Sequence, residues 1–197
     1  QAREGSSVLE NIRNLRIDMP TLCYHQELAP FGACRLCTVE IRANGKGRLT
    51  TACDCPVKPG LEIVTASEQA REARKFAAAL LAYKYPDTAA VREIALKLGV
   101  AVAPAAAEAH VCILCGLCTR LCDSLGSAAI SLVGRGIGRE VAPPFHAPPP
   151  DCIGCLSCAR ICPTGHIPWS GSEAGNRIWG RTFPRLRCPI CGRAHLT

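Results

Sequence analysis

Eight of the chain's cysteines fall in two runs of one spacing, Cys112-Cys115-Cys118-Cys122 and Cys152-Cys155-Cys158-Cys162, each C-x2-C-x2-C-x3-C, with Pro163 after the second. Three thiols of each run lie on one tight loop and the fourth on the next segment, a short helix, so that they face a common centre. Thiolates packed this densely do one kind of chemistry well: they hold iron–sulfur clusters, which exchange single electrons. Zinc fits less well, because its sites pair two C-x2-C units across a longer gap and a third cysteine after two residues crowds a tetrahedron. A disulfide framework requires an oxidising compartment, and the total of 15 cysteines is odd, which argues against complete pairing.

The paired runs resemble two-cluster bacterial ferredoxins, in which the fourth cysteine of each run ligates the other run's cluster. The resemblance implies one 4Fe–4S cluster on Cys112, Cys115, Cys118 and Cys162, and another on Cys152, Cys155, Cys158 and Cys122. Upstream, Cys23, Cys34, Cys37 and Cys53 follow C-x10-C-x2-C-x15-C, with Pro30, Gly32 and Ala33 suited to bring backbone N–H groups near sulfur. The plant-type 2Fe–2S spacing has a shorter first gap, which makes this a different branch. Near the end, Cys188-Pro189-Ile190-Cys191-Gly192 is half of a rubredoxin or zinc-ribbon knuckle, with His195 as a candidate third metal ligand. A complete site needs a further ligand, from beyond Thr197 or from another subunit.

The elements that must position these thiols are short. Ser7-x-x-Glu10 is a capping box opening a helix to about Leu15. Val39–Ile41, Leu49–Ala52 and Leu61–Val64 read as strands, separated by turns at Asn44–Gly47 and Pro59-Gly60. A small mixed sheet with one helix and a cysteine loop fits a β-grasp domain holding a 2Fe–2S cluster. Thr65-x-x-Glu68 reads as a second capping box, opening a helix to Lys84 with Ala70, Ala73, Ala77, Leu80 and Leu81 on one face. Arg71, Arg74 and Lys75 read as a solvated face of that helix rather than a docking patch. Tyr85-Pro86 stops it; Asp87 can cap a further helix carrying Val91, Ile94, Ala95 and Leu98, ended by Gly99, and an Ala/Pro linker runs from Val100 to Glu108. Gly134 to Gly138 is a hairpin turn rather than a phosphate loop, since G-x-G-x-x-G fails at Arg139. Cys55 reads as a small buried hydrophobe. His25, His110, His146 and His166 can tune or ligate clusters but individually read as structural or exposed.

Composition narrows the classes. Only 5% of the 197 residues are aromatic against 17 glycines and 15 prolines, so large apolar cores are excluded and metal centres must supply cross-links. No apolar run approaches the roughly 20 residues of a membrane span, and no signal peptide is visible, which points to a reducing, cytoplasmic setting. The formal charge of +7 invites a nucleic-acid partner. Three oxidised all-cysteine clusters, each about −2 with its thiolates, would cancel nearly all of it.

Three stretches carry a wider resemblance: CysTyrHis at 23–25, CysArgLeuCysThrValGlu at 34–40 and AlaCysAspCysProVal at 52–57. With the two ferredoxin runs, ValGlyArgGly at 133–136 and CysProThrGly at 162–165, they resemble the N-terminal part of complex I's large iron–sulfur subunit, the small diaphorase subunit of NAD-reducing hydrogenases, and iron-only hydrogenase N-termini. The resemblance covers about residues 1–168. It implies an electron-transfer subunit relaying electrons between a flavin-bearing NAD(P)H-oxidising subunit and a second catalytic subunit (hydrogenase, formate dehydrogenase or similar). The chain by itself would be non-catalytic, with no nucleic acid as partner and no direct membrane span. The implied fold class is α+β: a 2Fe–2S ferredoxin-like domain at 1–65, a helical linker at 66–109, a two-cluster 4Fe–4S ferredoxin domain at 110–170, and a tail with the knuckle at 171–197. Two departures stand out. Relatives carry a His/Cys3 cluster between the domains, whereas residues 56–109 hold no Cys and no His, so electrons must bypass that centre or find it on another subunit. The β-grasp opening hairpin is also missing, as though the natural chain began earlier. The alternative from another class is a zinc-dependent nucleic-acid-binding module, opposed by the scarcity of stacking aromatics.

Overall fold

The computed structural model describes residues 5–43, 45–104, 111–172 and 174–195, the last with its backbone alone. The chain divides into two compact units, 1–109 and 110–197.

In the first unit, Ser7 caps helix α1 (Val8–Asn14): its hydroxyl accepts the Glu10 N–H, and the Glu10 carboxylate accepts the Ser7 N–H. The spare N–H groups of the first turn are put to use, Val8 donating to the Cys55 carbonyl at 2.8 Å and Leu9 to the Ala52 carbonyl at 2.9 Å. The helix start therefore fixes the segment that carries Cys53. Val8, Leu9 and Ile12 bury themselves against Val39, Ile41, Ala52 and the Cys37 and Cys53 side chains. Strands β1 (Thr38–Ala43), β2 (Lys46–Thr51) and β3 (Glu62–Val64) form one sheet in the order β2-β1-β3. The sheet is wholly antiparallel rather than mixed, because after the Cys53 loop β3 enters beside β1 from the opposite direction, pairing Val64 with Glu40.

Helix α2 (Glu68–Lys84) is capped by Ser67, which accepts the Ala70 N–H at 3.3 Å, and not by Thr65. The reason is the ladder: β3 runs to Val64, so Thr65 directly follows an extended strand and the next hydroxyl takes the cap. The inward face also differs from the alanine stripe read from sequence. Ala70, Arg74, Ala78 and Ala82 are buried at intervals of one turn, while Leu80 is 55% exposed. Arg74 is thus no part of a solvated face, although Arg71 and Lys75 are exposed. Its guanidinium lies between α2 and β1, donating to the Thr38 carbonyl at 2.7 Å, and burial lowers its pKa. Small alanines on either side leave room for the long stem against the sheet. Helix α3 (Ala89–Lys97) packs on α2 through Val91 and Ala95. Its N-cap is Thr88, one residue later than the expected Asp87. Its end is a Schellman turn: Gly99, at φ +71°, donates to the Leu96 carbonyl and Val100 to that of Ala95.

In the second unit, α4 (Leu117–Ser124) carries Cys118 and Cys122, and packs on the single turn α5 (Ser157–Arg160), which carries Cys158. Between them lies a hairpin of β4 (Ser131–Val133) and β5 (Glu140–Ala142), its turn holding Gly134 at φ +74° where a Cβ would lie 2.4 Å from the Gly138 carbonyl oxygen. After Pro163 comes a meander that the cysteine spacing does not announce: β6 (Trp169–Gly171), β7 (Gly175–Ile178) and β8 (Arg181–Pro184). Its Ile178 and Phe183 join Cys118, Cys158, Leu156 and Ile130 in one core. The meander also grips the second cysteine loop from outside, for a single Arg181 guanidinium donates to the carbonyls of Pro149, Pro150 and Cys152. A last hairpin, β9 (Leu186–Arg187) with β10 (Ala194–His195), closes the described chain. No helix among the described residues is long and apolar enough to cross a membrane.

Candidate metal centres

The two cysteine loops of the second unit share one backbone device. Leu114 and Gly116 in the first run, and Gly154 and Leu156 in the second, all have left-handed φ, so each loop turns twice at the same positions with its leucine and glycine exchanged. Such turns point backbone N–H groups inward: Leu114 N–H donates to the Cys112 sulfur at 3.4 Å, and Gly154 N–H serves Cys152 in the same way. Leu114 shows that a leucine tolerates this φ, so the glycine at 154 answers a second demand. A Cβ there would lie 2.3 Å from Cγ of the buried Phe183 ring. Gly154→Ala is therefore expected to cost the second unit roughly 3 kcal/mol, from displaced packing plus backbone strain. Gly126→Ala, also at positive φ but with open space around it, should cost only the strain, about 1 kcal/mol. Thermal unfolding of the two iron-loaded variants checks this, and equal melting temperatures would refute the packing argument.

The eight thiols line two apolar cavities, and each cavity draws on both runs. Cys112, Cys115, Cys118 and Cys162 meet in one, with Ile113, Val141 and Ile167 around them. Cys122, Cys152, Cys155 and Cys158 meet in the other, beside Ile130, Ile153, Ile178 and Trp179. The exchange follows from helix geometry. Cys118 and Cys122 lie one turn apart on α4, so one sulfur reaches each cavity with a rise of about 6 Å between the residues. Burial pushes the thiols up, Cys115 to about 11, Cys118 to about 12 and Cys158 to about 11. Backbone donors reach several of the sulfurs, including His166 N–H to the Cys162 sulfur at 3.3 Å. Cys23, Cys34, Cys37 and Cys53 form two close pairs in the first unit. Cys23 and Cys34 lie 3.3 Å apart, too far for a disulfide, and each accepts a backbone N–H, from Cys34 and Leu22 respectively. The bond between them pulls Cys34 down to about 6 and pushes Cys23 up. In the same way their mutual bond lowers Cys53 and raises Cys37. The N–H groups of Gly32 and Ala33 face the sulfurs of Cys53 and Cys23.

These donor sets suit iron–sulfur clusters. No disulfide joins any of the cysteines, and among the described residues no three His, Cys, Asp or Glu side chains group closely enough to hold a metal ion. Four thiols spread around a cavity match a cluster that takes one thiolate at each of four irons, and two pairs match one of two irons.

The other candidates separate. Cys55 is buried in the apolar core, its thiol pushed up by burial. His25 is exposed and accepts the Glu27 N–H, and His146 is exposed 3.7 Å from the Glu140 carboxylate. His166 lines the first cavity, and His110 lies outside the described residues. Cys188 and Cys191 stand on a knuckle between β9 and β10, where Gly192 at φ +67° donates to the Cys188 carbonyl and Cys188 donates to that of Arg193, both at 2.9 Å. The His195 side chain lies outside the described residues. Three contributors from the meander had no signal in the cysteine spacing: Trp179 lines the second cavity, Arg181 holds the carbonyl of Cys152, and Phe183 packs against Gly154.

Residues 1–68 match the 2Fe-2S iron-sulfur cluster binding domain family, and residues 111–166 the 4Fe-4S dicluster domain family. The chain is 29% identical to the NADPH-Fe(3+) oxidoreductase subunit alpha of Geobacter sulfurreducens, over 94% of this chain and 25% of that one. It is 28% identical to the NADP-reducing hydrogenase subunit HndD of Solidesulfovibrio fructosivorans (83% and 33% covered), and 25% identical to an NADH-quinone oxidoreductase subunit of Rhizobium meliloti (98% and 25%). It thus spans a quarter to a third of the length of these relatives. In a solved NAD+-reducing [NiFe]-hydrogenase in the H2-reduced state, one chain superposes with a TM-score of 0.65 at 28% identity, covering 84% of this chain and 81% of that one. The nucleic-acid alternative finds no support in these matches. The chain is an iron–sulfur protein, a 2Fe-2S cluster binding domain followed by a 4Fe-4S dicluster domain, related to subunits of NAD(P)-linked oxidoreductases.

Proposed function

We propose that this chain relays electrons between a flavin-containing NAD(P)H-oxidising subunit and a second catalytic subunit such as a hydrogenase or formate dehydrogenase. Cys23, Cys34, Cys37 and Cys53 would hold the 2Fe–2S cluster. Cys112, Cys115, Cys118 and Cys162 would hold one 4Fe–4S cluster, and Cys152, Cys155, Cys158 and Cys122 the other. The observation that carries the reading is the meeting of thiols from both runs in each of two adjacent cavities. Bound clusters supply the one-electron chemistry; the protein's residues do the rest. Helix α4 keeps the two cavities one helical turn apart, which favours passage between them. Apolar walls exclude water, and inward backbone N–H groups stabilise added negative charge on sulfur. Beside Cys53 an open cleft of about 610 Å³, lined by Glu10, Tyr24, Glu27 and Asp54, brings solvent and any partner surface to the edge of the 2Fe–2S site. The β9–β10 knuckle would hold a structural zinc on Cys188 and Cys191, with His195 and a further ligand completing it.

The test is reconstitution. The iron-loaded chain alone should be bleached by dithionite but not by NADH or NADPH, and should show no hydrogen or formate oxidation. Adding the flavoprotein with which it associates should let the nicotinamide bleach the same bands. Elemental analysis should return about ten irons per chain, by the assignment of two plus four plus four, and one zinc. Turnover of a nicotinamide cofactor by the chain alone would overturn the relay reading, and absence of zinc would remove the knuckle proposal.

A further inference from the structure

Trp179 occupies the turn between β7 and β8 at φ +51°, a left-handed conformation that a tryptophan keeps only when its surroundings impose it. Its indole Nε1 is fully buried and has no hydrogen-bond partner of ordinary geometry. An unpaired buried N–H is destabilising. Yet the ring lines the cavity of Cys122, Cys152, Cys155 and Cys158, with its N–H toward the Cys158 sulfur. A protonated thiol is a poor acceptor for it. A metal-bound thiolate is a strong one, because the bond becomes charge-assisted.

We infer that Trp179 donates its indole N–H to the Cys158 sulfur of the iron-loaded centre and so raises the reduction potential of that cluster alone. The inference rests on the proposed occupation of this cavity by a 4Fe–4S cluster. One electron added to the cluster increases negative charge on its sulfurs, so a fixed donor stabilises the reduced state more than the oxidised one. The first cavity has no indole; its described walls offer Cys162 the Thr164 hydroxyl and the His166 backbone N–H instead. The side chain therefore makes the two centres unequal, and the second becomes the preferred seat for the first electron.

The experiment compares wild type with Trp179→Phe and with a chain carrying 3-benzothienylalanine at 179, which keeps the bicyclic shape and replaces N–H by sulfur. Redox titration followed by electron paramagnetic resonance reads each 4Fe–4S centre separately. Both variants should lose about tenfold in the reduced-to-oxidised ratio of one centre at a fixed potential, a fall of about 59 mV for one electron. The other centre and the iron content should be unchanged. An unaltered potential with the benzothienyl side chain would overturn the inference, whatever the phenylalanine variant does, and leave the indole a packing role only. Failure of the underlying reading looks different: wild type itself would carry about six irons per chain and a single 4Fe–4S signal.

Discussion

Alanine at Cys162 is expected to remove iron from the cavity of Cys112, Cys115 and Cys118, and to spare the centre of its own neighbours Cys152, Cys155 and Cys158. The structure puts the Cys162 sulfur in the first cavity, where the His166 N–H holds it and Thr164 lies 3.5 Å away. Iron should fall from about ten to about six per chain. Paired variants identify the centre from the count alone, because two losses at one centre cannot add. Cys162→Ala with Cys112→Ala should still leave about six irons, whereas Cys162→Ala with Cys152→Ala should leave about two. The reverse order would mean that each run holds its own cluster. A three-iron remnant at a damaged centre would shift the totals but not their order.

Cys53→Ala should break electron flow through an assembled complex while the flavoprotein keeps its reaction with an artificial acceptor. Cys53 is 2% exposed, and α1 fixes its segment through the Leu9 bond to the Ala52 carbonyl and the Val8 bond to the Cys55 carbonyl. An alanine there leaves the fold's contacts nearly intact but removes one of the two thiols expected at one iron, so about two irons of ten are lost. Nicotinamide-driven turnover of the second catalytic subunit should then fall to background, though dithionite still reduces the remaining clusters. Cys55→Ala is the control. That thiol faces the apolar core, so its loss should cost about 1 kcal/mol of stability and no iron. Unimpaired transfer in Cys53→Ala would mean that the 2Fe–2S site lies off the path.

Much of the site was legible because thiol spacing is a local property. Residues two or three positions apart share a loop whatever the rest of the chain does, so the two tight runs could be read without any long-range contact, whereas Cys23, Cys34, Cys37 and Cys53 were joined by a resemblance. Ser7 and Glu10 were legible for the same reason: a capping box needs only four consecutive residues. Helix α2 was not. Alanines on several sides leave its inward face undefined, and only the approach of β1 chose the stripe of Ala70, Arg74, Ala78 and Ala82 over one containing Leu80. Its cap moved to Ser67 because β3 claimed the chain up to Val64.

By itself, then, the amino-acid sequence determined the spacing of the two four-cysteine runs, the order of the two cluster-binding domains, and the absence of Cys and His from 56–109. The tertiary structure decided what surrounds them. It folded the 169–184 meander against the second cysteine loop, where Phe183 requires Gly154 and Arg181 holds three carbonyls. It buried Arg74 against the strand that follows Cys37, and it turned the Trp179 indole toward Cys158. The division has a physical cause. The three thiols on each loop lie at short sequence separation, which spacing records. Burial and hydrogen bonding around the ligands depend on contacts between residues about 20 to 40 positions apart, whose pairing is fixed only when sheets and helices pack.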